Sequence, residues 1–277
     1  TDIIANNLFL NAAGDIGADT VGDEIALHTG TLRTDSTLMG ANADQYFSAD
    51  ATIIFGTSLD AGTGSATVKR DGVFLLALNE VVGDTTTLEV DSGAVLKLSH
   101  GVGEEETLAG VNVNEGGLLN GSGTFVGPVT AKAPTTQSVG GEISPGINAA
   151  TPGLISTGDL SFEQSSIYRV DIDGTAGAGV LVGGHDQIAV TGTVTLDNAS
   201  LKLTSSTYTP AGGETFVIID NDGTGDAVTV AAVGLFPTAE TMTLHDTGKP
   251  APLTHTHNLN LFPNTEQISG DGLAGLV

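Results

Sequence analysis

Short runs of alternating apolar and polar residues follow one another along most of this chain. Each run ends in glycine, aspartate, asparagine or serine, and examples are NNLFLNA (6–12), ATIIFG (51–56), AVLKLS (94–99) and ASLKLTS (199–205). A period of two is typical of β-strands, and the residues that end the runs are typical of turns. Helical periodicity is missing almost everywhere. The pattern therefore predicts an all-β protein.

A phrase also recurs along the chain, in which a polar residue and a turn residue are followed by small and apolar residues. The turn residues of successive copies are separated by 20, 22, 21, 23, 25, 17 and 34 residues, at Gly30, Asp50, Gly72, Gly93, Gly116, Gly141, Gly158 and Gly192. Such spacing is typical of a β-solenoid, in which each coil has two or three short strands that stack in parallel on the next coil. We place an insertion at 175–186 to explain the widest gap. A β-sandwich with strands every 8–12 residues or so is the alternative.

Composition narrows the choice of core and of partners. Aromatic residues make up 4% of the chain and tryptophan is absent, whereas 39 residues are glycine. We therefore expect tight turns and ladders of Val, Ile, Leu and Ala, which favour the solenoid. The 33 acidic and 8 basic residues give a formal net charge of −25, which repels nucleic acid and anionic membranes. Cysteine is absent, which excludes disulfides and thiolate metal sites and fits an extracellular protein.

Residues 140–230 carry a more specific likeness. The phrases ISPG (143–146), GLISTGDLSF (153–162), YRVDIDG (168–174) and HDQIAVTGTVTL (185–196) resemble the closing segment of autotransporter-associated β-strand repeat proteins. These are large bacterial surface proteins with parallel β-helix passengers. The resemblance implies a right-handed parallel β-helix, exposure at the bacterial surface and structural or adhesive roles without a shared catalytic site.

This likeness also suggests how the chain is divided. We expect a β-solenoid body over 1–235 and C-terminal strands over 236–277 that form a hairpin or an interaction arm. The residues after 230 depart from the family pattern, and we see no twelve-strand membrane barrel. We therefore expect a processed passenger or a free secreted protein. No run of about 18 apolar residues occurs, so we expect no membrane insertion by this chain.

The stretch VIIDNDGTGDAV (217–228) is the best calcium candidate, with ligands Asp220, Asp222 and Asp226. An EF-hand loop needs oxygen ligands at positions 1, 3 and 5 and a bidentate glutamate at position 12. Counted from Asp220, position 5 is Thr224 and position 12 is Ala231, so the bidentate ligand is missing. A strand that ends in an Asx turn explains the stretch equally, and no cofactor is certain.

The histidines offer two further hypotheses. His255 and His257 would share one face of a strand and could bind a transition metal, although an exposed alternating strand also explains them. His185 and Asp186 could be a hydrolase dyad, but no G-x-S-x-G motif is present. The 8 basic residues are also too scattered for a polysaccharide-active β-helix groove. The sequence therefore predicts that the protein is not an enzyme.

The two ends of a solenoid expose strand edges, which invite pairing with another chain. The candidate assembly residues are Ile3 and Ile4 near one end and Leu273, Leu276 and Val277 near the other. We expect a self-assembling subunit of a bacterial surface fibre, surface layer or matrix, with itself or other surface proteins as partner. An adhesin that binds host or matrix glycans is the first alternative. It would need an aromatic platform, for which Tyr46, Phe47, Phe236 and Phe262 are the material.

Overall fold

The computed structural model describes most of residues 2–221 and three short strands beyond them. Within 2–221 the gaps are 4–5, 21–22, 29, 38–41, 71, 102, 137–138, 147–150, 198, 205–207 and 209–215, and the later described residues are 228–230, 243–246 and 255–256. This part of the chain is all-β, as the sequence predicts. It contains no helix, and hence none that is long and apolar enough to cross a membrane.

The strands are short and follow one another closely along the chain. They are β1 (Asp2–Ile3), β2 (Asn7–Asn11), β3 (Ile25–Leu27), β4 (Gly30–Asp35), β5 (Gln45–Ala49), β6 (Thr52–Asp60), β7 (Ser65–Lys69), β8 (Val73–Leu76), β9 (Thr87–Val90), β10 (Val95–Ser99), β11 (Gly110–Val113), β12 (Leu118–Thr124), β13 (Val129–Ala131), β14 (Glu142–Pro145), β15 (Leu154–Thr157), β16 (Leu160–Phe162), β17 (Ile167–Asp171), β18 (Gln187–Val190), β19 (Val194–Leu196), β20 (Ser200–Thr204), β21 (Val217–Asn221), β22 (Val228–Val230), β23 (Thr243–Asp246) and β24 (His255–Thr256).

Successive strands fall in alternate sheets over the first half of the chain. The ten-stranded sheet has the order β1-β3-β5-β7-β9-β11-β13-β16-β19-β22. The second sheet runs β2-β4-β6-β8-β10-β12-β15-β18-β21-β23-β24, and β14, β17 and β20 form a branch from β12. Every pairing of named strands is parallel except that of β23 with β24. Two long parallel sheets visited in turn are compatible with the expected solenoid.

The repeat widens halfway along the chain, because a third strand is added. Before β12 each repeat has two strands, and Glu89 lies beside Asn112, 23 residues later. After β12 each repeat has three, and Thr195 lies beside Thr229, 34 residues later. The gap of 34 residues in the sequence was explained by an insertion at 175–186, which is indeed a loop between β17 and β18. The third strand contributes as well, since the next repeat is equally long without that loop.

Stacked repeats place equivalent residues in continuous ladders inside the protein. One ladder joins neighbouring strands of the second sheet and its branch, and it consists of Ile53, Phe74, Leu96, Leu119, Ile143, Tyr168 and Leu201. All seven side chains are buried. The alternation of the sequence therefore positions one apolar residue per repeat at each interior site, because neighbouring side chains of a strand point to opposite faces. This is the aliphatic core that the composition predicts, with phenylalanine added.

The interior of the early repeats also holds a small polar network. The Thr34 hydroxyl donates to Gln45 Oε1 over 2.5 Å, and Gln45 Nε2 donates to Ser36 Oγ and to the carbonyl oxygen of Asp60. The three side chains are buried and hydrogen-bonded to one another or to main-chain carbonyls. Such a network keeps buried polar groups satisfied and fixes the register of the strands that carry them.

The predicted arm over 236–277 is described only at β23 and β24. These two strands pair with each other in the antiparallel direction, and β23 also pairs with β21 in parallel. The division of the chain at residue 235 stays a prediction.

Candidate functional site

The first repeat has an edge strand in each sheet. Among the described strands, β1 pairs with β3 alone and β2 pairs with β4 alone. On β2 the inward residues Leu8 and Leu10 pack against the core but are only partly buried, whereas Asn7, Phe9 and Asn11 are exposed. The last apolar positions of the interior ladders are thus incompletely covered within the described chain. An edge of this kind offers both main-chain hydrogen-bonding groups and apolar surface to another strand.

The predicted assembly residues fall at this edge or outside the described residues. Ile3 lies in β1, in register with Leu27 of β3. Ile4, Leu273, Leu276 and Val277 lie outside the described residues, so their role stays a prediction. The sequence did not single out Leu8 and Leu10, although their alternation in NNLFLNA is the signal that places them inside.

The predicted calcium loop is described at one of its three ligands. Asp220 lies in β21, in register with Ala189 on one side and His245 on the other. Asp222 and Asp226 lie outside the described residues. The described residues contain no group of three or more histidine and acidic side chains that could hold a metal ion. The calcium hypothesis therefore stays a prediction, as does the transition-metal hypothesis, since His255 is in β24 and His257 is outside the described residues.

The aromatic residues considered for a glycan platform are dispersed. Phe47 is fully buried, and Tyr46 is half-buried with Lys69 Nζ 5.5 Å from the centre of its ring. Phe236 and Phe262 lie outside the described residues. Phe47 is therefore a core residue and cannot contribute to a platform on the surface.

A cluster of buried polar side chains lies at the base of the loop between β17 and β18. The Asp186 side chain has no exposed surface, and its two carboxylate oxygens accept hydrogen bonds from the backbone N–H of Gly153 at 2.7 Å and of Asp171 at 2.9 Å. The Asp186 N–H in turn donates to the Asp171 carbonyl. Asp186 therefore ties the loop to the start of β15 in the preceding repeat.

His185 and Asp186 do not form a dyad. His185 Nε2 lies 3.2 Å from the carbonyl oxygen of Val217, while Nδ1 is buried and has no hydrogen-bond partner among the described residues. The ring packs edge-on against Phe216. The Asp186 carboxylate contacts main-chain amides instead of the imidazole, so this arrangement braces a loop and does not activate a nucleophile.

Burial dominates the ionisation of this cluster. It raises the pKa of Asp186 to about 8, against the opposing effect of the two backbone donors. Burial and then the neighbouring Asp173 raise the pKa of Asp171 to about 6. Burial lowers the pKa of His185, so the neutral imidazole is favoured. Each shift has the same cause, because removal from water disfavours the charged form.

Glu106 is a second buried carboxylate that bonds to main-chain amides. Its oxygens accept hydrogen bonds from the N–H of Val81 at 3.0 Å and of Val82 at 2.6 Å, one repeat earlier. Burial raises the pKa of Glu106 to about 7. Nothing in the run GEEET (103–107) distinguishes this glutamate from Glu104 or Glu105. By contrast, the apolar neighbours of Asp171 and Asp186 in VDIDG and HDQIAV are a signal of burial that could have been used.

These carboxylates predict that the protein loses stability as the pH rises above neutrality. A pKa that is higher in the folded state adds stability below the unfolded-state pKa, and this is lost as the pH rises through the folded-state value. From pH 6.5 to about 8 the histidines and ordinary carboxylates no longer titrate in the unfolded chain. Asp186 should then lower the free energy of unfolding by at most about 1.4 kcal/mol per pH unit. Urea unfolding at a series of pH values measures this slope.

Asp186→Asn tests the source of the slope. The variant should be less stable near pH 6.5, because an amide cannot accept both backbone hydrogen bonds, but its stability should change less with pH. Asp84→Asn removes an exposed carboxylate elsewhere and is the matched control, which should keep the wild-type slope. A wild-type slope in Asp186→Asn would show that burial of this carboxylate does not govern the pH dependence.

No family model, curated protein or solved structure matches this chain. The resemblance of residues 140–230 to autotransporter-associated β-strand repeat proteins therefore stays a prediction. Function is inferred from the geometry of the chain itself.

Proposed function

We propose that this chain is a non-enzymatic structural protein of the bacterial cell surface, with the form of a right-handed parallel β-helix. Copies join end to end, by strand addition or by stacking of terminal repeats, into a fibre, surface layer or matrix. The observation that carries the proposal is the incompletely covered first repeat, where β2 has a described partner on one side and Leu8 and Leu10 are only partly buried.

Two further observations support the proposal. Parallel strands joined by crossovers are right-handed in about 98% of known cases, which favours the right-handed form. The described polar clusters at Asp186 and Glu106 brace main-chain segments and leave no assembled set of catalytic groups. The acidic composition suits a protein that must remain soluble before it assembles, since like-charged chains repel one another.

Electron microscopy and sedimentation of the full chain test the proposal. We expect concentration-dependent filaments from the wild type. Leu8→Lys should lower filament formation by at least about tenfold, because it places a charge on the apolar end surface where another repeat would stack. Phe9→Lys changes the neighbouring residue, whose side chain is 53% exposed and points outward, and it should assemble like the wild type.

Monomers at all concentrations would overturn end-to-end assembly. Equal behaviour of Leu8→Lys and Phe9→Lys would show that the end of the first repeat is not the contact. The same measurements with EDTA test the calcium hypothesis, since filaments that persist in the chelator do not depend on the ion.

A further inference from the structure

The outward surface of the second sheet is unusually apolar. Two rows of outward side chains cross it, and neighbours in each row lie on adjacent strands about 4.8 Å apart. The residues that make it apolar are Ile54, Val73, Leu75, Val95 and Leu118, and their registers join β6, β8, β10 and β12. Ile54 is 40% exposed and the others are partly exposed. Parallel sheets are normally covered on both faces, so an apolar outward surface indicates that something packs on it.

Basic residues lie on and beside these apolar residues. Lys97 lies beside Leu75 in one row, Arg33 lies on β4 beside Phe9, and Arg169 and Lys202 are neighbours on the branch strands β17 and β20. We call this surface the outer face, made up of Ile54, Val73, Leu75, Val95 and Leu118 together with Arg33, Lys97, Arg169 and Lys202. It therefore combines apolar and positively charged side chains.

The cations of the outer face are mostly unpaired, although acidic residues far outnumber basic ones in the chain. Arg169 donates to Glu142 over 2.5 Å. Arg33, Lys97 and Lys202 form no ion pair with any described residue. Arg33 instead lies over the ring of Phe9, at 5.2 Å from its centre. The outer face thus presents positive charge that the same molecule does not neutralise.

The ten-stranded sheet has the opposite character on its outward side. Glu89 projects outward from β9, and acidic residues stand at the strand ends next to it or in later repeats, namely Asp91, Asp159, Glu163 and Asp197. The cations there are paired within the chain, since Lys69 contacts Asp19 and Asp91 and Lys132 contacts Glu163. We call this surface the acidic face. The inward side chains of both sheets share one core, so the acidic face and the outer face point away from each other.

We propose that the outer face docks on the acidic face of a second copy of this chain. Complementary charge favours this partner, because every copy carries an unneutralised basic surface on one side and an excess of carboxylates on the other. Two different surfaces meet in such a contact, so it does not close on itself and can join further copies side by side. This lateral contact goes beyond the end-to-end assembly proposed above, because it uses the faces of the sheets and not the strands of the first repeat.

Sedimentation of the full chain carrying Leu8→Lys tests the lateral contact without end-to-end assembly. We expect side-by-side association at about 20 mM NaCl that weakens at about 500 mM, because salt screens the attraction. Adding Lys97→Gln and Lys202→Gln should weaken the association by at least about tenfold. Lys132→Gln removes a cation from the acidic face and is the matched control. It should associate at least as well as its Leu8→Lys parent.

Three results would overturn the lateral contact. The first is a monomer at every concentration and salt. The second is an equal loss in the Lys97/Lys202 and Lys132 variants, which would point to net charge and not to the outer face. The third is a monomer that binds heparin through Lys97 and Lys202, which would identify an anionic polysaccharide as the occupant.

The two assembly proposals can fail separately. In the otherwise unchanged chain, filaments that form but do not associate sideways would leave the proposed function standing and overturn the lateral contact. Lateral complexes without filaments would do the reverse.

Discussion

Phe74→Ala is expected to lower the free energy of unfolding by about 3–5 kcal/mol. Phe74 has no exposed surface, and its ring centre lies 5.6 Å from that of Phe55, which is equally buried one repeat earlier. Its ladder position is also occupied by Ile53 and Leu96 on either side, so the repeats above and below cannot close the cavity without shifting their own strands. The loss therefore combines lost burial with a cavity that is retained.

Urea unfolding followed by circular dichroism measures this loss, since the chain has no tryptophan to report by fluorescence. Phe9→Ala is the matched control. Phe9 is 53% exposed and contacts Arg33, so its replacement should cost less than about 1 kcal/mol. A similar small loss in Phe74→Ala would contradict the interior ladder as the main source of stability.

Gly121→Ala is expected to destabilise the protein by more than about 4 kcal/mol or to prevent folding. Gly121 lies in β12 at the point where the second sheet divides, and it exchanges backbone hydrogen bonds with Gly146 at 2.7 and 2.8 Å. Its φ of +104° disfavours any side chain, and an added Cβ would overlap the carbonyl oxygen of Leu98 on the neighbouring strand. Main-chain atoms cannot move aside without breaking the pairing of β10 with β12.

Gly103→Ala separates the two causes. Gly103 also has a positive φ, of +80°, but nothing lies within 4 Å of the position where its Cβ would be. Its replacement should cost about 1–2 kcal/mol from backbone strain alone. Equal losses at the two glycines would show that the close approach of β10 and β12 is not what requires Gly121.

Sequence alone predicts those features that depend on alternation within a strand. The burial of Val90 and Val113 and the exposure of their neighbours follow from a period of two, and the spacing near 20–25 residues follows from one coil per phrase. The division at β12 was missed. The short strand β14 has no feature that tells a third strand from a turn, so the wide repeat was attributed to the loop at 175–186 alone.

The buried carboxylates could be predicted only in part. Glu106 is one of three consecutive glutamates, and its position is set by the amides of Val81 and Val82 one repeat earlier, which no local pattern shows. The outer face was missed for a related reason. Val73, Val95 and Leu118 look like core residues in the sequence, and the register between strands is needed to show that they form one outward row.

The stacking of each repeat on its immediate neighbours has a consequence for how the chain reaches this structure. Paired residues are separated by 24 positions at Asn7 and Thr31 and by 34 at Thr195 and Thr229, which is about 0.09–0.12 of the 277-residue length. Relative contact orders in this range are typical of helical bundles, whereas β-sandwiches have higher values. A parallel sheet of this kind can therefore grow by one repeat at a time as the chain emerges, with each finished repeat serving as the template for the next.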